Sequence, residues 1–116
     1  MSGYLTTHVL DTSRGEPAAG LRVTLETLET GEILADMVTN SDGRTDSPIL
    51  PASDFSIGRF QLLFYAGDYL QATGQAGEMP LFLDVIPIRF GISDPMSHYH
   101  VPLLLSPFGY STYRGS

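Results

Sequence analysis

Apolar and polar residues alternate with a period of two over most of this chain, in short stretches broken by turn-forming residues. Tyr4 to Leu10 alternates, is rich in Thr and Val, and breaks at Asp11-Thr12-Ser13-Arg14-Gly15-Glu16-Pro17. Leu21 to Leu28 alternates more cleanly, with Leu21, Val23 and Leu25 on one face and Arg22, Thr24 and Glu26 on the other. That is the pattern of a half-buried antiparallel strand. Thr30-Gly31 links it as a hairpin to Ile33 through Thr39. Asn40-Ser41-Asp42-Gly43 is a second tight turn, because glycine tolerates a positive φ. Gly58 to Ala66, Asp84 to Ile92, His98 to Leu105 and Gly109 to Arg114 complete the predicted strands. Pro87 and Pro102 fall inside two of them, and since proline donates no ladder hydrogen bond both are expected at edge or bulge positions. Asp68 to Gln75 reads as the one short helix, with Asp68 as N-cap. Seven or eight short strands and a single helix predict an all-β fold, a two-sheet sandwich.

Length and charge narrow the class. A chain of 116 residues fits a single domain, 1–116, since domains run roughly 100–200 residues. Thirteen acidic residues against six basic ones give a net charge of -7, which repels phosphate backbones. Nucleic acid and anionic membranes are therefore excluded as expected partners. All six basic residues are arginine, which removes lysine Schiff bases and P-loop lysines. The lack of cysteine removes thiol nucleophiles and thiolate metal sites. No run approaches the roughly 20 apolar residues of a membrane span and the N-terminus has no signal-peptide pattern, so a soluble, cytoplasmic protein is expected.

Candidate chemistry centres on three histidines, His8, His98 and His100, each on a predicted strand. His98 and His100 share one face of their strand, and His8 shares its face with Tyr4, Thr6 and Leu10. Two readings stand side by side. A His-x-His pair with a third histidine from another strand makes a workable zinc site with an open position for water. The same groups without metal are general acids and bases, because an imidazole titrates close to working pH. Arg44, just after the Asn40–Gly43 turn, is either a solvated turn residue or a guanidinium aimed at a carbonyl or anionic substrate. A Ser-His-Asp triad has no Gly-x-Ser-x-Gly elbow to support it. The chain ends at Tyr113-Arg114-Gly115-Ser116 directly after a strand, and an α-carboxylate held there is a fixed negative charge that can orient an imidazole or an arginine.

Several of these segments together resemble a known family: Leu5-Thr6-Thr7-His8-Val9-Leu10-Asp11, Arg14-Gly15 and Pro17-Ala18, Asp42-Gly43-Arg44, the run from Tyr99 to Pro107, and the run from Gly109 to Ser116. The chain is similar to the 5-hydroxyisourate hydrolases, the transthyretin-related enzymes of urate breakdown, from about Tyr4 to its last residue, with the terminal Tyr-Arg-Gly-Ser the most specific motif. The resemblance implies a transthyretin-like sandwich of two four-stranded sheets with one short helix, assembled as a homotetramer with sites at the interface between dimers. It implies hydrolysis of the cyclic amide of 5-hydroxyisourate to 2-oxo-4-hydroxy-4-carboxy-5-ureidoimidazoline, with no metal or organic cofactor. Its functional positions fall on His8, Arg44, His100 and Tyr113 to Ser116: His8, Arg44, His100 and Ser116 as catalytic residues, and His8, Arg44 and Tyr113 as substrate contacts. His98 lies outside this set and keeps a structural or supporting reading. The competing reading is a transthyretin-like carrier of small molecules, which shares the Leu-Ser-Pro and Tyr-Ser-Thr stretches but has other residue types at the places of His8, Arg44 and His100. Asp68 to Asp84 matches the family only loosely.

Overall fold

The period-two segments pair as two sheets whose apolar faces meet. The structure, a computed structural model, describes residues 3–75 and 77–115. In chain order the elements are β1 (Tyr4–Asp11), β2 (Glu16–Pro17), β3 (Arg22–Thr27), β4 (Ile33–Val38), a single 3-10 turn (Ala52–Asp54), β5 (Gly58–Tyr65), α1 (Ala66–Ala72), β6 (Val85–Ile92), β7 (His98–Ser106) and β8 (Gly109–Thr112). One sheet has the order β2-β1-β7-β8 and the other β4-β3-β5-β6. The expected all-β sandwich of about eight strands with one short helix is what forms.

Between the sheets lie Leu5 and Val9 of β1, Val23 and Leu25 of β3, Leu62 and Phe64 of β5, and Leu103 and Leu105 of β7, all fully buried. Burying side chains of this size stabilises by about 1.5–3 kcal/mol each before conformational entropy is subtracted. Because β1 and β7 bury alternate residues, their remaining side chains share the outer face of the first sheet. The two strands run parallel, with Leu5 opposite Tyr99, Thr6 opposite His100 and His8 opposite Pro102.

Three expectations are corrected. The helix starts at Ala66 with Tyr65 as N-cap, so Asp68 lies in the first turn and caps nothing. Its position is set instead by a buried polar cluster: Tyr69 Oη donates to Asp11 Oδ2 at 2.6 Å, Gln75 Nε2 donates to the same oxygen at 2.8 Å, and Ser13 Oγ donates to Oδ1 at 2.9 Å. Glu16–Pro17, read as part of a turn, pairs with Leu10 and Asp11 as a two-residue edge strand. Pro87 does lie on an edge strand, β6, but Pro102 lies on β7 between two neighbours. It fits there because its nitrogen faces the side of β8, whose ladder begins only at the Leu103–Thr112 pair. No N–H is needed at that point, and the Pro102 carbonyl accepts from Thr112 Oγ1 at 2.7 Å.

Candidate active site

The shared outer face of β1 and β7 collects all three histidines. His8 comes from β1, and His98 and His100 come from β7; all are half-buried. The His8 and His100 rings are 6.5 Å apart between centroids and inclined by 23°, and His98 and His100 are 6.1 Å apart. His98 stacks on Tyr4 with centroids 4.1 Å apart and planes within 11°. The Thr6 hydroxyl lies between the β7 pair, 2.6 Å from His98 Nε2 and 2.8 Å from His100 Nδ1.

Arg44 reaches this face through the turn before it. Gly43 closes the turn with its N–H on the Asn40 carbonyl at 2.9 Å and with φ at +74°, while its own carbonyl accepts from Val9 N–H at 2.8 Å. A side chain at Gly43 would put Cβ 2.4 Å from the Val9 carbonyl oxygen, so only glycine lets the turn lie this close to β1. The result is an isolated antiparallel bridge between His8 and Arg44. Arg44 also differs from the other arginines. Arg14, Arg22 and Arg59 form ion pairs with Glu16, Asp36 and Glu29, Arg89 donates to Gln61, and Arg114 lies over the Tyr99 ring. Among the described residues the exposed Arg44 guanidinium has no such partner, which makes it the arginine free to bind a ligand. It borders a small pocket of about 160 Å³ together with Thr6, Thr7, Thr45, Asp46, Ser47 and Pro48.

The electrostatics favour neutral imidazoles. Burial lowers the pKa of His8, the charge of Arg44 lowers it further, and Asp42 acts in the opposite sense through its backbone and its carboxylate. Burial also lowers His100, followed by Arg44, His98 and His8, while a hydrogen bond to the Thr6 backbone opposes the shift. Both rings are therefore held below the ordinary 6.5 and carry a free lone pair at neutral pH.

The C-terminal segment also arrives at His100. Gly115 N–H donates to the His100 carbonyl at 2.7 Å and forms an isolated bridge with it. Tyr113 is exposed and lines a different cavity, of about 330 Å³, with Arg114, Tyr99 and residues of β6. Ser116 lies outside the described residues. The zinc reading of His8, His98 and His100 is not assembled: among the described residues no group of three or more His, Cys, Asp or Glu side chains is placed to hold a metal ion. One site residue, Thr6, was not singled out from the sequence, and Gly115 was named only as part of the terminal tetrapeptide Tyr113 to Ser116. The signal for Thr6 was its period-two position beside His8. Gly115 gave no signal beyond its place in the terminal motif.

A two-sheet sandwich with two histidines and an unpartnered arginine on one outer face defines the class, and comparison with known proteins is in accord. The model of the HIUase/Transthyretin family matches residues 5–115, and the chain belongs to that family. It is 54% identical over 117 residues to 5-hydroxyisourate hydrolase 2 of Rhizobium meliloti, covering 99% of this chain and 98% of that protein. The solved structure of Klebsiella pneumoniae 5-hydroxyisourate hydrolase superposes with a TM-score of 0.83 at 37% identity, over 98% of this chain and 94% of that one. Sea bream transthyretin in complex with thyroxine gives the same TM-score at 26% identity, over 96% and 93% of the two chains. The solved structure of (S)-allantoin synthase superposes with a TM-score of 0.93 at 44% identity over 99% of this chain, which spans 44% of that longer one.

Proposed function

We propose that this chain opens the cyclic amide of 5-hydroxyisourate by hydrolysis at the face shared by His8, Arg44 and His100. The observation that carries the reading is the convergence of two half-buried imidazoles, 6.5 Å apart, and one guanidinium without an ion-pair partner among the described residues, on a scaffold whose relatives at about half identity are named for that activity. The likeness to transthyretin is a likeness of scaffold at 26% identity. A carrier would have no use for the acid–base pair.

Amide hydrolysis needs an activated water, a stabilised oxyanion and a protonated leaving nitrogen, and general acid–base help is worth about 10²–10⁴-fold. His8 and His100 manage the proton between them: one neutral imidazole accepts it from water as the water oxygen bonds to the carbonyl carbon, and the imidazolium so formed, directly or by relay through the other ring, returns it to the ring nitrogen as the C–N bond breaks. Arg44 binds the urate-like ring and the negative charge that develops on it. Ser116, next in sequence to Gly115, holds one imidazole in its useful tautomer; Tyr113, which borders a separate cavity on a single chain, contacts the ring across the subunit interface of the assembly proposed below. The chemistry requires no metal or organic cofactor.

The site is open on a single chain, since Arg44 is exposed and the pocket beside it is shallow. A homotetramer in which a second subunit covers this face is the assembly we favour, since a domain of this size has little room for a deep pocket of its own. No helix among the described residues is long and apolar enough to cross a membrane; a cytoplasmic location and one domain over 1–116 are part of the same proposal. The test is a urate-oxidase-coupled assay that follows 5-hydroxyisourate decay, with and without chelator. A decay rate equal to the spontaneous one would overturn the reading in favour of the carrier.

A further inference from the structure

We propose that Thr6, backed by His98, is a positioning residue that holds the His100 imidazole in the Nδ1–H tautomer and leaves Nε2 as its free base nitrogen. The inference rests on the hydrolytic reading for its consequence in catalysis, but its geometry stands independently.

The Thr6 hydroxyl has one proton and two nitrogen neighbours within hydrogen-bond distance, His98 Nε2 at 2.6 Å and His100 Nδ1 at 2.8 Å. It can donate to only one of them, so the other must donate to it. Two neutral arrangements satisfy all three groups. In one, His98 Nε2–H donates to Thr6 and Thr6 donates to His100 Nδ1, which places the His100 proton on Nε2. In the other, His100 Nδ1–H donates to Thr6 and Thr6 donates to His98 Nε2, whose own proton is on Nδ1.

Only the second arrangement leaves His100 a lone pair for catalysis. Once His100 takes up a proton at Nε2, its Nδ1 must carry a proton too, so Thr6 must accept from it and donate to His98. The second arrangement already has that form and needs no rearrangement. The first would require the hydroxyl to turn and His98 to move its proton to the other nitrogen. His98 is itself fixed: its stack on Tyr4, 4.1 Å between centroids, holds the plane that aims Nε2 at the hydroxyl. Both parts come from the register that sets Thr6 opposite His100 and Tyr4 opposite His98. Free histidine favours the Nε2–H tautomer in water, so the site works against the intrinsic preference of the ring.

The experiment joins tautomer spectroscopy with kinetics on the intact protein. In ¹⁵N-histidine-labelled wild type, His100 should show a protonated, pyrrole-like Nδ1 and a pyridine-like Nε2 above its pKa. Thr6→Val keeps the side-chain shape and removes the hydroxyl; it should return His100 toward the Nε2–H form and lower kcat on the order of 10- to 100-fold with little change in KM. Thr6→Ser should restore both the tautomer and most of kcat. His98→Phe should cost less than Thr6→Val, and the double variant should be no slower than Thr6→Val alone, because both act through one hydroxyl. A wild-type spectrum with the proton on Nε2 overturns the proposal. So does a Thr6→Val protein with unchanged tautomer and kcat, or equal losses in the Val and Ser variants. Wild type without hydrolysis but with the expected spectrum would instead sink the hydrolytic reading and leave the tautomer assignment standing.

Discussion

Gly115 lies so close to His100 that a Cβ on it would stand 2.6 Å from His100 Cδ2. Gly115→Ala must therefore displace either the ring or the chain end. It should lower kcat/KM by at least about tenfold while the sandwich stays folded, because a displaced imidazole loses its alignment with the water. Residues joined after Ser116 should act in the same direction by crowding the segment that Gly115 holds against His100. Activity normalised to folded protein, with assembly followed by light scattering, decides the point: a full rate in both proteins would reduce the Tyr-Arg-Gly-Ser ending to a family marker.

Replacing His8, His100 or Arg44 by alanine should each reduce kcat/KM by on the order of 10²-fold or more and leave fold and assembly intact. All three side chains lie on the outer face, away from the core packed between the sheets. Any one variant that keeps near-wild-type turnover loses its assigned role.

Burial and the Arg44 charge hold His8 and His100 below 6.5, so the acid limb of the kcat/KM profile should lie below that value. A base must be neutral to work, and rate is lost as pH falls through its pKa. Arg44→Gln removes a positive neighbour and lets both imidazoles hold a proton more readily. The residual activity of that variant should show its acid limb at higher pH than wild type, and a limb that stays or moves down contradicts the electrostatic account.

Hydrolysis should survive EDTA, as acid–base histidines require no metal. Loss of activity on chelation with recovery on added zinc would restore the metal reading of His8, His98 and His100. His98→Ala is the companion variant: a zinc ligand would take metal and activity with it, whereas a positioning residue gives a milder loss.

Burial alone would raise the pKa of Asp11, but hydrogen bonds from Tyr69, Gln75, Ser13 and the Arg14 backbone outweigh it and hold the carboxyl low; its partner Tyr69 is pushed up to about 12. A depressed carboxyl contributes stability above its unfolded pKa that is lost as pH falls through the folded one. Tyr69→Phe should cost about 1–3 kcal/mol in urea unfolding at neutral pH. The cost should shrink in acid, with activity per folded molecule unchanged; a cost independent of pH would mean that packing of the ring, not the charged hydrogen bond, carries the effect.

Strand alternation and the Asn40–Gly43 turn could be read along the chain, because each depends on residues within a few positions of one another, and motifs alone named His8, Arg44 and His100 as candidates. Period two alone put His98 and His100 on one face and His8 on the same face as Thr6. It could not show that β1 and β7 are parallel neighbours, since His8 and His100 are far apart in sequence and their pairing depends on how strands distant in the chain assemble into one sheet. That assembly, with the second sheet packed on it, decided the rest. It allowed Pro102 inside an interior strand by leaving a gap opposite its nitrogen, it started the helix at Ala66 through the pull of Asp11 on Tyr69, and it set one threonine hydroxyl between two imidazoles. Local pattern determines which side chains face outward; only the register between distant strands determines which of them share a proton.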